Sequence, residues 1–181
     1  MNTQSTLFIA GNPHARSSQF IEHAEALLRP KGLQWLSLVE ESSNGNFNVD
    51  EHHAAIEQVD TLVLHFPMYW YSSPALVKSW LDAILTPGWA FPLPQSKLRG
   101  KRLLVSVTTG SPLDTFQPMG SNERTLEELL LPFERTARYC GMTWLGVVAS
   151  QWNTEKMDDA VLEQTARRHI DDLMQRINAP A

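Results

Sequence analysis

The apolar positions of the chain fall into short, nearly continuous runs separated by stretches of helical period. Residues 6–10 (TLFIA), 33–39 (LQWLSLV), 61–65 (TLVLH), 101–109 (KRLLVSVTT) and 142–150 (MTWLGVVAS) read as strands. Runs such as LLVSV and WLGVVA lack polar alternation, the mark of a strand covered on both faces. Helices are expected from about Ser18 to Arg29, where Pro30 and Gly32 end the pattern, from Val49 to Gln58, over 74–85, and from about Glu155 to Ile177. A fifth helix carries Leu126, Leu130, Phe133, Ala137 and Cys140 at helical spacing, and Pro132 should kink or divide it. Residues 40–48 are polar, with Asn44-Gly45 as a turn signal. Strands that alternate with helices call for an α/β fold, a parallel sheet covered on both faces by right-handed crossovers.

The chain is organised around Asp60 to Phe91. The buried-strand pattern breaks at Pro67 into Met68-Tyr69-Trp70-Tyr71. Ser73 then suits an N-cap and Pro74 a first helical position, and the helix places Leu76, Val77, Trp80, Leu81 and Ile84 on one face. Three aromatics on a surface loop have two readings. They pack under a neighbouring helix, or they lie along a flat ligand; residue types alone leave both open.

Composition narrows the class. At 181 residues the chain suits one domain, 1–181, with a full core. A net charge of -5 without a basic patch argues against nucleic acid as a partner. Met1 to Thr6 shows no secretory pattern, and no apolar run approaches the ~20 residues of a membrane span. The single cysteine, Cys140, excludes a disulfide within the chain and fits a reducing cytoplasm. It falls on an apolar helical face and reads as inert packing. No zinc spacing, nucleophile elbow, Walker loop or Gly-x-Gly-x-x-Gly motif is present. His52 and His53 fall in a polar helix and read as solvated; His65 closes a strand and reads as a hydrogen-bonded core residue.

The ordered series Phe-Pro-Met-Tyr-Trp-Tyr, Ser-Pro-Ala-Leu-Val-Lys-Ser-Trp-Leu-Asp and Gly-Trp-Ala-Phe resembles the flavodoxin-like NAD(P)H:quinone oxidoreductase family. That family includes the ancillary proteins of glutathione-gated potassium-efflux systems. The resemblance implies a three-layer fold with a five-stranded parallel sheet in the order 2-1-3-4-5, which binds FMN at the switch point between strands 1 and 3. It implies FMN, with FAD as the alternative, NAD(P)H as co-substrate, a small quinone-like acceptor and a homodimer.

Three loops would then hold the flavin. In the first, Gly11 to Gln19, a helix N-terminus offers N–H groups to phosphate, with Asn12, Ser17, Ser18 and Gln19 as the side chains. An ordinary Ser N-cap is the plain alternative there. Asn12 stands where the family usually has His. In the second loop, Pro67, Met68, Tyr69 and Trp70 would lie along the isoalloxazine ring, with backbone N–H groups toward its pyrimidine edge. The third, Thr108-Thr109-Gly110-Ser111-Pro112, resembles the family's Thr-Thr-Gly-Gly loop, and Gly110 would admit the ring closely. Phe116 falls where quinone reductases carry a Tyr, so the catalytic hydroxyl is missing. Trp89 and Phe91 are further aromatics available for an apolar cleft.

The Thr-Thr-Gly-x-Pro loop and LLLPFERTARYCGMTWL (129–145) resemble the potassium-efflux branch more closely. The second reading is therefore a regulatory subunit of a membrane transporter with little turnover. A one-electron carrier of flavodoxin type fits less well, since carriers are usually more acidic. No basic site for a 2′-phosphate is legible. Tyr69→Ala or Trp70→Ala is expected to lower flavin retention.

Overall fold

Strand β1 (Thr6–Ala10) is buried along its whole length because it lies between two parallel neighbours. These are β2 (Gln34–Ser37) on one side and, after the short hairpin β3 (Ser42–Ser43) and β4 (Asn46–Phe47), β5 (Thr61–Pro67) on the other. β6 (Arg102–Thr109) and β7 (Thr143–Gln151) extend the sheet from β5, also in parallel. The order β2-β1-β5-β6-β7 is the expected 2-1-3-4-5 in terms of the five long strands. The computed structural model describes residues 5–43 and 46–179; the Asn44-Gly45 turn signal lies outside the described residues.

Strand alternation sends side chains to opposite faces and so builds two cores. Phe8, Ala10, Val63, Leu104 and Val148 point toward α1 (Gln19–Leu28) and α7 (Asp159–Asn178). Leu7, Ile9, Leu62, Leu64 and Val105 point the other way. There they meet Ile56 of α3 (Val49–Glu57), Val77, Trp80 and Ile84 of α4 (Ala75–Ile84) and Phe133 of α6 (Leu131–Tyr139). The chain therefore forms three layers, helix, sheet and helix.

Several local expectations are corrected. The second strand stops at Ser37, and α2 (Leu38–Glu41) with the β3–β4 hairpin occupies what reads as a polar loop. The helix around Pro132 is divided, as expected: α5 (Leu126–Leu129), held by a Thr125–Glu128 capping box, ends at Leu130, and Pro132 sits in the first turn of α6. A missing N–H is tolerated in a first turn. His52 and His53 are not solvated. His52 is buried, and its Nδ1 accepts from Trp80 Nε1 at 3.2 Å. His53 stacks on Trp89 at 3.6 Å and bonds the Ile84 carbonyl. Polar side chains entered this core because α4 supplies matching partners. Trp89 is spent on His53 and on Glu57, to which its Nε1 donates at 2.7 Å. Phe91 lies against Tyr139.

Two residues tie elements together at opposite ends of the sheet. At the carboxyl end, the Gly11 N–H donates to the His65 carbonyl at 2.7 Å. A Cβ added at Gly11 would collide with Val77 Cγ2 and lie 3.1 Å from the His65 carbonyl oxygen. Val77 is fully buried and branched, so it cannot swing aside. Gly11→Ala is expected to cost about 1–3 kcal/mol of stability by forcing α4 outward. A urea titration of the two proteins checks this, and equal midpoints would show that α4 yields freely. At the amino end, the buried Arg102 guanidinium donates to Thr61 Oγ1 (2.9 Å) and to the Ile177 carbonyl (2.6 Å) near the end of α7.

Candidate functional site

A cavity of about 590 Å³ opens at the carboxyl ends of β1, β5, β6 and β7. Asn12, Ser17, Ser18 and Gln19 line one part of it, Pro67, Met68 and Tyr69 a second, and Thr108, Thr109 and Gly110 a third. The structure thus brings all three expected loops to one place. It leaves Trp70 and Phe116 out. Trp70 is 95% exposed, and Phe116 is half-buried against the hydrophobic core. His14, Phe20, Trp152 and Thr154 also line the cavity, and the sequence reading missed them.

The phosphate-type end is built by α1. Ser18 is its N-cap and accepts from the Ile21 N–H at 3.4 Å. The Gln19 and Phe20 N–H groups of the first turn have no acceptor among the described residues. Such N–H groups and the helix dipole favour an anion. The preceding turn, Ala15–Ser17, is held by an Asx contact: Asn12 Oδ1 accepts from the His14 N–H at 2.9 Å. Ser18 thus caps the helix, and the remaining first-turn N–H groups stay open beside it.

The second loop is a tight hairpin. Tyr69 and Ser72 exchange two backbone hydrogen bonds, at 2.9 and 3.0 Å. The two residues between them, Trp70 and Tyr71, have φ of 49° and 64°. Positive φ at both central positions gives the twist of a type I′ turn, at a steric cost of roughly 1–2 kcal/mol for each residue with a Cβ. Two of this loop's backbone N–H groups are already engaged within the protein. The Met68 N–H is spent on the Thr108 carbonyl at 2.8 Å, and that of Tyr69 on Ser72. Gly110, Trp70 and Tyr71 keep N–H groups without an acceptor among the described residues. Gly110 has open space where a Cβ would stand, and Thr109 Oγ1 pins the turn by donating to the Ser111 carbonyl at 2.8 Å.

The floor is aromatic. Phe20 and Trp152 meet edge to face at 5.0 Å. Beneath Phe20, the His65 ring stacks at 4.6 Å and begins a buried chain of hydrogen bonds. His65 Nδ1 meets Ser106 Oγ (2.9 Å), Ser106 Oγ meets His169 Nε2 (2.7 Å), and His169 Nδ1 meets Ser150 Oγ (2.9 Å). Ser106 has one proton, so it donates to one imidazole and accepts from the other. Burial lowers the His169 pKa to about 4; burial, and then the neighbouring His169, hold His65 well below the usual range. Both rings are neutral, which agrees with the expected core role of His65. Cys140 is buried as expected, and burial raises its pKa.

Among the described residues no group of His, Cys, Asp and Glu has the makings of a metal site, and no helix is long and apolar enough to cross a membrane. Convergent loops at the topological switch point of a doubly wound sheet, with an open helix N-terminus on one side, define a mononucleotide cleft. The chain belongs to the family described as having the flavodoxin-like fold, whose model matches residues 4–173. Its relatives include the uncharacterized NAD(P)H oxidoreductase YrkL of Bacillus subtilis (strain 168), 35% identical over 145 residues, covering 80% of this chain and 83% of that protein. The glutathione-regulated potassium-efflux system ancillary protein KefF of Enterobacter sp. (strain 638) is 34% identical over 167 residues, covering 90% and 92%. The crystal structure of general stress protein 14 from Treponema denticola, in complex with FMN, superposes with a TM-score of 0.84 at 29% identity, covering 95% and 99%.

Proposed function

We propose that the chain is a flavin-dependent NAD(P)H oxidoreductase that holds FMN in this cleft and delivers two electrons to a flat, quinone-like acceptor. The observation that carries the reading is the single cavity that joins the open first turn of α1 to the Gly110 turn and Tyr69. The residues present fit FMN. Hydroxyl and N–H donors gather at one end, an aromatic floor lies below, and a glycine without a near neighbour stands at the other end. The FMN-bound relative in Treponema denticola and the NAD(P)H oxidoreductase relative in Bacillus subtilis support the same assignment.

Bound FMN supplies reversible two-electron chemistry at its ring. The protein's part is placement. The Gln19 and Phe20 N–H groups and the Ser18 hydroxyl would hold the phosphate, joined by Ser17 once its hydroxyl turns from the His14 carbonyl, to which it donates at 3.3 Å; Asn12 keeps their turn in shape. Tyr69, Thr108 and Gly110 would border the ring, and Phe20 and Trp152 would keep water from beneath it. Phe116 packs outside the cavity and has no hydroxyl to offer a reacting group. Trp70 and Tyr71 project from that mouth and form the surface on which a second copy of the chain closes the cleft.

A second reading is favoured by the KefF relative and by Phe116. In it the chain acts as an ancillary subunit of a potassium-efflux transporter, with slow turnover. Visible spectra of the purified protein after FMN addition, followed by NADH or NADPH with menadione, separate the two. A retained flavin band that bleaches with rapid nicotinamide oxidation is the expected result. A retained band without turnover would move the assignment to the ancillary role. Tyr69→Ala should weaken FMN retention roughly three- to tenfold through lost aromatic contact. Trp70→Ala should reduce dimerisation and lower the flavin content less than Tyr69→Ala does. Equal flavin content in the Tyr69 variant would remove that residue from the site.

A further inference from the structure

Across the Ala15–Ser17 turn from the main cleft lies a second groove of about 340 Å³, between α1 and the edge strand β2. Its volume is at the small end for a ligand pocket, about 300–1,000 Å³. Ser17 and Ser18 line both cavities, so the two are contiguous. The floor holds Trp35, one face of which stacks on Phe8, and Ser37. Ser37 is 6% exposed, and its hydroxyl is buried without a hydrogen-bond partner. It precedes α2 but does not cap it. Buried hydroxyls are nearly always paired, so an orphan lining a groove points to a polar group supplied from outside the chain. The rim is charged: Arg16 stands on the shared turn, and Glu22, Glu25 and Glu40 stand around it. Glu25 is engaged with Arg29 at 2.6 Å, which leaves Arg16, Glu22 and Glu40 to face a ligand.

We infer that this groove takes the adenosine end of the nicotinamide dinucleotide, with Glu40 accepting from the ribose hydroxyls, and that the protein therefore prefers NADH to NADPH. The inference rests on the oxidoreductase reading. A carboxylate just beyond the second strand is chemically suited to a vicinal diol, as in dinucleotide-binding sheets, whereas a 2′-phosphate calls for an arginine at that place. Here the carboxylates Glu40 and Glu22 would repel the extra phosphate. Arg16, between the two cavities, is placed for the pyrophosphate that must bridge them. Trp35 and the Ser37 hydroxyl offer an apolar plate and a polar partner to the nucleoside.

Titration calorimetry of the FMN-loaded protein with AMP and with adenosine 2′,5′-bisphosphate tests this without turnover. AMP should bind, and the bisphosphate at least ~tenfold more weakly. Glu40→Gln should bring the two within about threefold, because it removes the repulsion and keeps the shape. Ser37→Ala should weaken AMP and leave the ratio unchanged. With turnover, the preference for NADH should appear in KM rather than kcat. Absence of AMP binding, equal binding of both nucleotides, or an unchanged ratio in Glu40→Gln would overturn the inference. Loss of hydride transfer with AMP discrimination intact would strike the oxidoreductase reading and leave the groove a nucleotide site. Turnover at equal efficiency with NADH and NADPH would strike this inference alone.

Discussion

Arg102→Ala should lower the free energy of unfolding by roughly 3 kcal/mol or more, the largest effect expected of a single substitution outside the cleft. The guanidinium is 5% exposed and holds Thr61 Oγ1 and the Ile177 carbonyl in one fork. Truncation strands both partners. Thr61 is wholly buried and has no route to water, and Ile177 is the last apolar anchor of α7. The cost therefore includes desolvation of the orphaned groups as well as the lost charged hydrogen bonds. Arg102→Lys keeps the charge but not the fork, so it should recover only part of the loss. Urea titrations of the three proteins measure this, and hydrogen exchange should show the end of α7 opening first. A midpoint unmoved in the alanine variant would mean that the fork contributes nothing.

Acid should destabilise the chain through its buried imidazoles. His169 and His65 are each 1% exposed, and burial depresses both pKa values in the folded state. In the unfolded chain these imidazoles bind protons near pH 6.5; in the folded chain His169 does so only at about pH 4, and His65 is shifted in the same direction. In that window the unfolded state carries more protons, so stability is fully present above about pH 6.5 and falls as pH drops. His169 alone accounts for about 3 kcal/mol between pH 6.5 and 4. His65 adds to this in the same direction, and so does His52, whose pKa burial also lowers. A pair of Gln substitutions at 65 and 169 keeps hydrogen-bonding groups but removes the titration. Over this range it should keep only the His52 share of the fall in stability, even if its value at pH 7.5 is lower. A parent protein equally stable at pH 7.5 and pH 5 would refute the account.

The five long strands were legible because a strand covered on both faces has to be apolar on both, and few other segments need that. The two cores follow from simple alternation along those runs. What the sequence hid was pairing. His52 and His53 look like surface residues until Trp80, Trp89 and the Ile84 carbonyl arrive from α4 and the segment after it to meet them. The α2 turn and the β3–β4 hairpin carry too little apolar pattern to announce themselves. In the cleft, Asn12, Ser17, Tyr69 and Thr108 could be found from loops that follow strands. Phe20 and Trp152 could not, because Phe20 reads as an ordinary apolar helix residue and the loop after β7 carries none of the motifs that mark the other three. Its signal was nonetheless present: Trp152 and Thr154 follow a buried strand at the same end of the sheet. Trp70 shows the opposite failure. Its residue type suggested a ligand wall, but the left-handed turn throws it into solvent.

The place of β1 in the sheet has a consequence for how the chain is made. β1 leaves the ribosome before the strands it pairs with, and its second partner, β5, lies about fifty residues downstream. At roughly 5–20 residues per second, synthesis of that interval takes several seconds. For that time a largely apolar strand has at most β2 beside it. The sheet closes only once β5 and β6 have emerged, and Arg102 cannot complete its fork until Ile177, near the end of the chain, has been added. The nascent protein is thus most open to aggregation and chaperone capture while its first half waits for its second.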